Sequence, residues 1–311
     1  MTRTFLKRIL QAVGVMLGVA LILFIMLRIV PGNPVETMMG DHANQATVDR
    51  MTAELGLDQP FLTQYVTWLG GMARGDMGTS YVSGLDVAET FASKLPATLL
   101  LTALSILATI LISIPLGILA AVFRGRAVDY ILRFISFIGN SLPNFFVALL
   151  LMHLLSIRLR LLPVLSDGIS LRSALMPTMT LAIAMSSKYM RQVRAAVLEE
   201  LQKDYVIGAK ARGVRSRVTL WNSVIRSSML TIITLLALSI GNLLGGTAII
   251  ESIFMWDGVG KMAVDAITMR DYPLIQAYVV WMAVIYVLVN LVTDLLYHLL
   301  DPRIRLGVIR E

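Results

Sequence analysis

Residues 204–217 read DYVIGAKARGVRSR, with four cationic side chains, one anionic side chain and glycines at 208 and 213. Uncharged runs flank this piece, 173–187 before it and 227–250 after it. A helix needs about 20 predominantly apolar residues to cross the hydrocarbon core, and Lys and Arg near span ends concentrate on the cytoplasmic side. The side on which this basic piece lies therefore decides the fold. If 173–193 crosses the membrane, segment 188–226 lies inside with its nine Lys and Arg. If it does not, the most basic segment of the chain lies outside, against the charge rule. The uncharged part of 173–193 is short for a span, and Lys188 is placed to snorkel at its end.

Working outward, six spans are expected, at about 9–30, 97–123, 134–157, 173–193, 227–250 and 275–299. With both termini cytoplasmic, the inside segments carry 3, 3, 9 and 3 Lys/Arg, and the outside loops 3, 3 and 2. The N-terminal stretch carries Arg3, Lys7 and Arg8 before its apolar run, which is longer than the apolar core of a signal peptide and lacks a small-residue cleavage site. It reads as a retained first span. The expected fold class is an all-α membrane protein, with residues 1–311 forming a single domain.

Composition agrees. The 311 residues are 57% hydrophobic and 15% charged, with mean hydropathy +0.75, against roughly 25% charged in soluble domains. The net charge of +7 would fit nucleic acid on a soluble fold, but here the basic residues sit between spans, so no nucleic-acid partner is expected. There is no cysteine, which excludes disulfides, thiolate metal sites and thiol redox chemistry.

The external segment 31–96 is too long for a bare connection. Within it, TVDRMTAELGLDQPFLTQYVTWLGGM (47–72) holds two helix patterns. Thr47 is placed to cap the first, and Pro60 marks the break before the second. Phe61, Tyr65 and Trp68 recur at helical spacing. This segment reads as a small packed cap on the outer face, compatible with a docking surface for a delivery protein. Gly14/Gly18 and Gly241/Gly245 form G-x-x-x-G pairs that let helix backbones approach closely.

Segment 199–226 reads as helix, turn, helix. Leu201, Tyr205 and Ala209 are spaced by four and share a face. Gly213 follows where a left-handed residue would end the helix. Asp204 is placed to cap its start, and Ser216 to cap a second helix with Val218, Trp221 and Ile225 on one side. An ordinary basic loop would also set topology. It needs only a few lysines, not helical periodicity with small residues on one face and a glycine stop.

DYVIGAKARGVRSRVTLWNSVIRSS (204–228) resembles the cytoplasmic coupling segment of ABC importer permeases of the dipeptide/oligopeptide/nickel group. Asp204, Tyr205, Val206, Ala209, Ala211 and Gly213 match that group's pattern. Of the wider importer motif only Ala209 and Gly213 are kept; Ile207 replaces its glutamate and Arg226 its proline. LRIVPGNPV (27–35), LGLDQPFLTQY (55–65), GDMGTSY (75–81), SLPNFFVALLL (141–151), LLGGTAIIESIFMWDGVGKMAVDAITMRDYPLIQ (243–276) and DPRIR (301–305) extend the resemblance over nearly the whole chain. Asp257 departs from it, standing where the group has proline.

The resemblance implies a type I ABC importer permease in the bacterial cytoplasmic (inner) membrane. Its implied partners are a second, different permease subunit, two ATP-binding subunits and an extracytoplasmic substrate-binding protein. ATP and Mg would be bound by the partner ATPases, with no cofactor in this chain and no enzymatic role of its own. GVGKM (258–262) is not a P-loop, because Met255 and Met262 stand where glycine and Ser/Thr are required. Asp204, Tyr205, Ala209 and Gly213 would seat in an ATPase groove and pass its closure to the spans. Residues 95–121 and 133–151 look closer to nickel or nickel-chelate permeases, which makes nickel the expected cargo and short peptides the alternative.

Polar side chains at membrane depth are costly facing lipid, so they are candidates for a path. Asn140, Ser141 and Asn144 cluster around Pro143, with Asn242 in the fifth span and Asn290 and Asp294 in the sixth; each could instead bond a neighbouring helix. No metal site is expected: His42, His153 and His298 are far apart, with no carboxylate at ligand spacing. A membrane enzyme would need a nucleophile–base set, and a secondary transporter inverted repeats and buried coupling acids. The sequence has neither.

Overall fold

The computed structural model describes residues 2–29, 35–36 and 44–300; the side chains of 2–9, 237–239, 242, 244 and 294–300 fall outside that description. Among these residues there is no strand, only an isolated bridge between Thr79 and Asp86. The helices are α1 (Thr2–Ile29), α2 (Gln45–Glu54), α3 (Phe61–Arg74), α4 (Val87–Val122), α5 (Ala127–Ser141) and α6 (Asn144–Leu151), the last continued by a π-helical turn, Met152–Arg158. There follow α7 (Leu171–Leu201), α8 (Asp204–Ala211), α9 (Ser216–Thr219) with a second π turn (Leu220–Ile225), α10 (Arg226–Gly246), α11 (Ala248–Phe254), α12 (Val259–Met269) and α13 (Tyr272–Leu300). The chain divides into two compact units, Met1–Thr98 with Asp257–Val287, and Leu99–Trp256 with Leu288–Glu311.

In the first unit, Met77, Val87, Phe91, Val259, Met262 and Tyr272 form a buried cluster. Phe61, Tyr65 and Trp68 lie on one face of α3, as their spacing predicts, and pack on Phe24 of α1 with ring centroids 5.3–5.5 Å apart. Pro60 is the N-cap of α3. The cap of α2 is Asn44, whose side chain accepts from the Ala46 N–H at 3.2 Å, and not Thr47. Asp271, 1% exposed, holds the 75–86 loop: Ser80 Oγ donates to its carboxylate, and the Tyr81 N–H does so at 3.1 Å. Asp257, the departure from proline, pairs with Lys94.

In the second unit α7 is the central helix, with α5, α6, α10 and α11 packed against it. Ser170 caps it, accepting from the Ser173 N–H at 3.1 Å. Its buried residues include Thr180, Ser186 and Ser187 beside Leu181, Tyr189 and Val193. Two glycines let neighbours approach it. A Cβ on Gly117 would lie 2.6 Å from Val193 Cβ and 2.9 Å from the Met190 carbonyl, and one on Gly139 would lie 2.1 Å from Ser187 Oγ. At Gly14, Gly18 and Gly245 a Cβ would meet no atom within 4 Å, so these members of the two G-x-x-x-G pairs are not points of close approach within the chain.

Among the described residues, four helical stretches are long and apolar enough to cross a membrane: Leu10–Ile29, Val87–Val122, Ser216–Leu236 and Tyr272–Thr293. The pair Ala127–Ser141 and Asn144–Arg158, bent by 102°, makes a fifth if it is one span. The expected count of six is not reached on length and composition, because α7 is not apolar enough. The physical reason is its surroundings: a helix wrapped by protein can carry hydroxyl and small side chains that lipid would reject.

Candidate functional site

The helix expected at 204–213 is α8. Its N-cap is Lys203, without a side-chain cap bond, so Asp204 is the first helical residue and not the cap. There its carboxylate complements the positive end of the helix. Gly213 closes the helix as its position predicts. It has φ +77°, its N–H donates to the Lys210 carbonyl at 3.0 Å, and the Val214 N–H donates to the Ala209 carbonyl at 3.1 Å. These are the two paired bonds of a Schellman ending, which a left-handed glycine allows. Ser216 likewise follows the N-cap, Arg215, and makes no cap bond.

Tyr205 is half exposed and donates its hydroxyl to Glu200 Oε2 at 2.9 Å, tying α8 to the end of α7. Burial, and then that hydrogen bond, push the phenol above its ordinary value, so it remains a donor at neutral pH. Lys203 pairs with the other Glu200 oxygen. Val206 and Leu201 pack against the second unit's core of Tyr189, Val193, Val224 and Ile232. One side of α8 is thus anchored to the bundle. Asp204, Gly213 and the apolar side chains of Ile207, Val214, Val218 and Trp221 are exposed, and Ala209 is half-buried. The four expected coupling residues are together on one short helix and its stop. Of the exposed apolar side chains around them, Val218 and Trp221 are on the face the sequence assigns to the second helix, whereas Ile207 and Val214, which flank the basic positions, were missed.

At the candidate path, α5 ends at Ser141 with Leu142 as its C-cap, and Pro143 is the N-cap of α6. Asn140, Ser141 and Asn144 flank this break and are exposed. Ser141 donates to the Phe137 carbonyl of its own helix at 2.8 Å. Asn144 lines an open pocket of about 150 Å³ with Lys188, Tyr189, Met185 and Leu243. The Asn242 side chain is outside the described residues, although Leu243 and Gly246 of the same helix reach the pocket. Lys188 was read only as a snorkelling end; its place beside Asn144 depends on packing of α6 against α7. Asn290 is half-buried, His153 is exposed, and Asp294, His42 and His298 lie outside the described side chains. Among the described residues no three His or carboxylates gather as a metal site.

One ion pair escaped the sequence reading. Asp129, 1% exposed, accepts two bonds from Arg194, at 2.8 and 2.9 Å, and one from the Gly125 N–H at 3.0 Å. It fastens α5 and its preceding turn to α7. Its visible signal was the i,i+4 pair with Arg133, which sits at a longer 3.6 Å.

Comparison with known proteins follows the same outline. Residues 113–306 match the family described as "Binding-protein-dependent transport system inner membrane component", and residues 1–102 match "Binding-prot-dependent transport system membrane comp, N-term". The chain is 35% identical over 316 residues to the oligopeptide transport system permease protein AppB of Bacillus subtilis, covering 98% of this chain and 99% of that one. It is 35% identical over 300 residues to the glutathione transport system permease protein GsiC of Salmonella typhimurium, covering 96% and 98%. A solved structure of the MetNI methionine ABC transporter in an inward-facing conformation aligns with 68% of this chain and 96% of its own, at a TM-score of 0.57 and 14% identity, and shares the fold. With the family match extending over most of its length, this chain belongs to the binding-protein-dependent transport system inner membrane components, the permease subunits of ABC importers.

Proposed function

We propose that this chain is one of two different permease subunits of an ABC importer that carries short peptides across the bacterial inner membrane. The observation that carries the cargo is the near-full-length 35% identity to permeases named for oligopeptides and for glutathione. Nickel was the first expectation from 95–121 and 133–151; the names of these relatives fit the peptide alternative better, and peptides are the cargo proposed. Six crossings with both termini cytoplasmic remain the topology proposed, with α7 as a protein-wrapped span.

In this reading two ATP-binding subunits supply hydrolysis and hold ATP and Mg, and an extracytoplasmic binding protein delivers the peptide. The exposed side of α8, with Asp204, Tyr205, Ala209 and Gly213, seats in an ATPase groove. Val206 and the Tyr205–Glu200 bond pass the movement to α7. The peptide passes the break between α5 and α6, beside Asn140, Ser141, Asn144 and Asn242.

Uptake of radiolabelled trialanine and of radioactive nickel by cells deleted for this chain, with and without its return, tests the cargo. Restored trialanine uptake with unchanged nickel uptake is expected. Restoration of nickel alone overturns the peptide reading.

A further inference from the structure

A pocket of about 290 Å³ opens within the first unit, at the C-terminal end of α1. Its walls include Arg28 of α1, Gln64 and Trp68 of α3, Tyr81, and Tyr272 and Gln276 of α13. None of these belongs to the coupling segment or to the proposed path. Three features set the pocket apart from an ordinary surface cleft.

The first is Arg28. Its guanidinium lies over the Phe24 ring, 5.4 Å from the centroid, and among the described residues no carboxylate pairs with it. Glu54 at the pocket wall is paired with Arg50 at 3.2 Å, both exposed. The second is Tyr272, 7% exposed, whose hydroxyl is buried without a hydrogen-bond partner. The Gln64 side-chain oxygen on the same wall is also without a partner, and an unmet buried polar atom is unfavourable by about 1–3 kcal/mol. The third is rigidity. Gln64 donates to the Leu57 and Gln59 carbonyls at 3.0 and 2.6 Å, and the Tyr81 N–H is held by Asp271. Burial pushes the Tyr81 phenol up, and Arg28 draws it part of the way back; it stays protonated and able to donate at neutral pH.

A cation and two phenols line one pocket, and the carboxylate on its wall, Glu54, is paired with Arg50 and not with Arg28. An ionised carboxylate is acceptor-only with about four lone-pair sites, and the planar arginine fork matches it with two parallel bonds. The volume exceeds what a carboxylate alone needs, and Phe24, Trp68 and Tyr81 offer apolar wall beside the charge. We propose that this pocket is a carboxylate-binding site that receives the C-terminal end of a short peptide. The choice of a peptide over another carboxylate rests on the cargo reading above; the site itself does not.

The test is equilibrium binding of radiolabelled dialanine to the purified importer complex in nanodiscs without its binding protein, with dialanine amide, acetate and inorganic phosphate as competitors. Saturable dialanine binding is expected. Dialanine amide should bind at least about tenfold more weakly, and so should dialanine to the Arg28→Gln complex, the size expected for loss of a charge-assisted pair. Tyr272→Phe, which removes one oxygen and keeps the packing, should weaken binding by about threefold or more. The proposal is overturned by no saturable binding to the wild-type complex, by equal binding of acid and amide, or by phosphate competing better than acetate. It is also overturned if Arg28→Gln and Tyr272→Phe leave dialanine binding unchanged. If trialanine uptake is not restored in cells but dialanine binding, displaced by acetate, still requires Arg28, the cargo reading fails and the carboxylate site stands. Restored uptake with Arg28-independent binding gives the reverse.

Discussion

Two residues, Asp129 and Gly213, separate effects inside the chain from effects at a partner. Breaking a dry ion pair from one side costs about 3–5 kcal/mol. Arg194 is 20% exposed and so recovers some hydration, which places Asp129→Asn at about 2–3 kcal/mol by comparison with that range. Denaturant unfolding of the purified complex should register it, and the exchanged pair Asp129→Arg with Arg194→Asp should recover part. Gly213 lies at φ +77° with no atom within 4 Å of an added Cβ. Gly213→Ala should therefore cost only the left-handed strain, about 1–2 kcal/mol, with the chain still in the membrane. In the proposed coupling role, Gly213→Glu should leave a similar amount of chain in the membrane and abolish transport, because no atom of this chain meets an added Cβ and the side chain would enter the ATPase groove. Peptide uptake that survives Gly213→Glu removes α8 from the coupling role. Gly213 was legible in the sequence because a helix stop is local. Asp129 was not, because Arg194 is 65 positions away.

The sequence placed α8 and α3 from spacing and from proline and glycine alone, but it ran one span, 134–157, through Pro143, where the helices on either side are bent by 102°. It misplaced three caps, choosing Asp204, Ser216 and Thr47 where the N-caps are Lys203, Arg215 and Asn44. Side-chain type nominates a cap, but the backbone turn before the helix decides it, and that turn answers to packing. Glycines behave similarly. The G-x-x-x-G spacing singled out Gly14 and Gly18, whereas the close approaches are at Gly117 and Gly139. Gly117→Ala should destabilise the complex by about 1–3 kcal/mol, since Val193 and the Met190 carbonyl are core and backbone and give way poorly. Gly14→Ala should leave the stability of the chain itself unchanged. Paired melting curves of the two variants check the contrast, and an equal loss in both would undo it.

For the whole molecule, topology is the open prediction. The chain has no cysteine, so single cysteines report their side cleanly. In the six-span reading, Leu165→Cys, exposed between the π turn and α7, should react with an impermeant maleimide added to intact spheroplasts. Ser216→Cys should react only after permeabilisation. Labelling of both only after permeabilisation would leave four crossings, with neither the bent pair nor α7 traversing the membrane. Membrane residence, helical class and the basic segment were determined by the sequence itself. Apolar run length, charge placement and glycine and proline positions act within a few turns of chain and need no distant neighbour. The tertiary structure alone decided that α7 is wrapped by protein, that Asp129 meets Arg194, that Asp271 secures Ser80 across 191 positions, and that Arg28 opens on a pocket with Tyr81 and Tyr272. Each of these depends on which surfaces pack together, and side chains far apart in the chain acquire a shared environment only when the helices carrying them are in place.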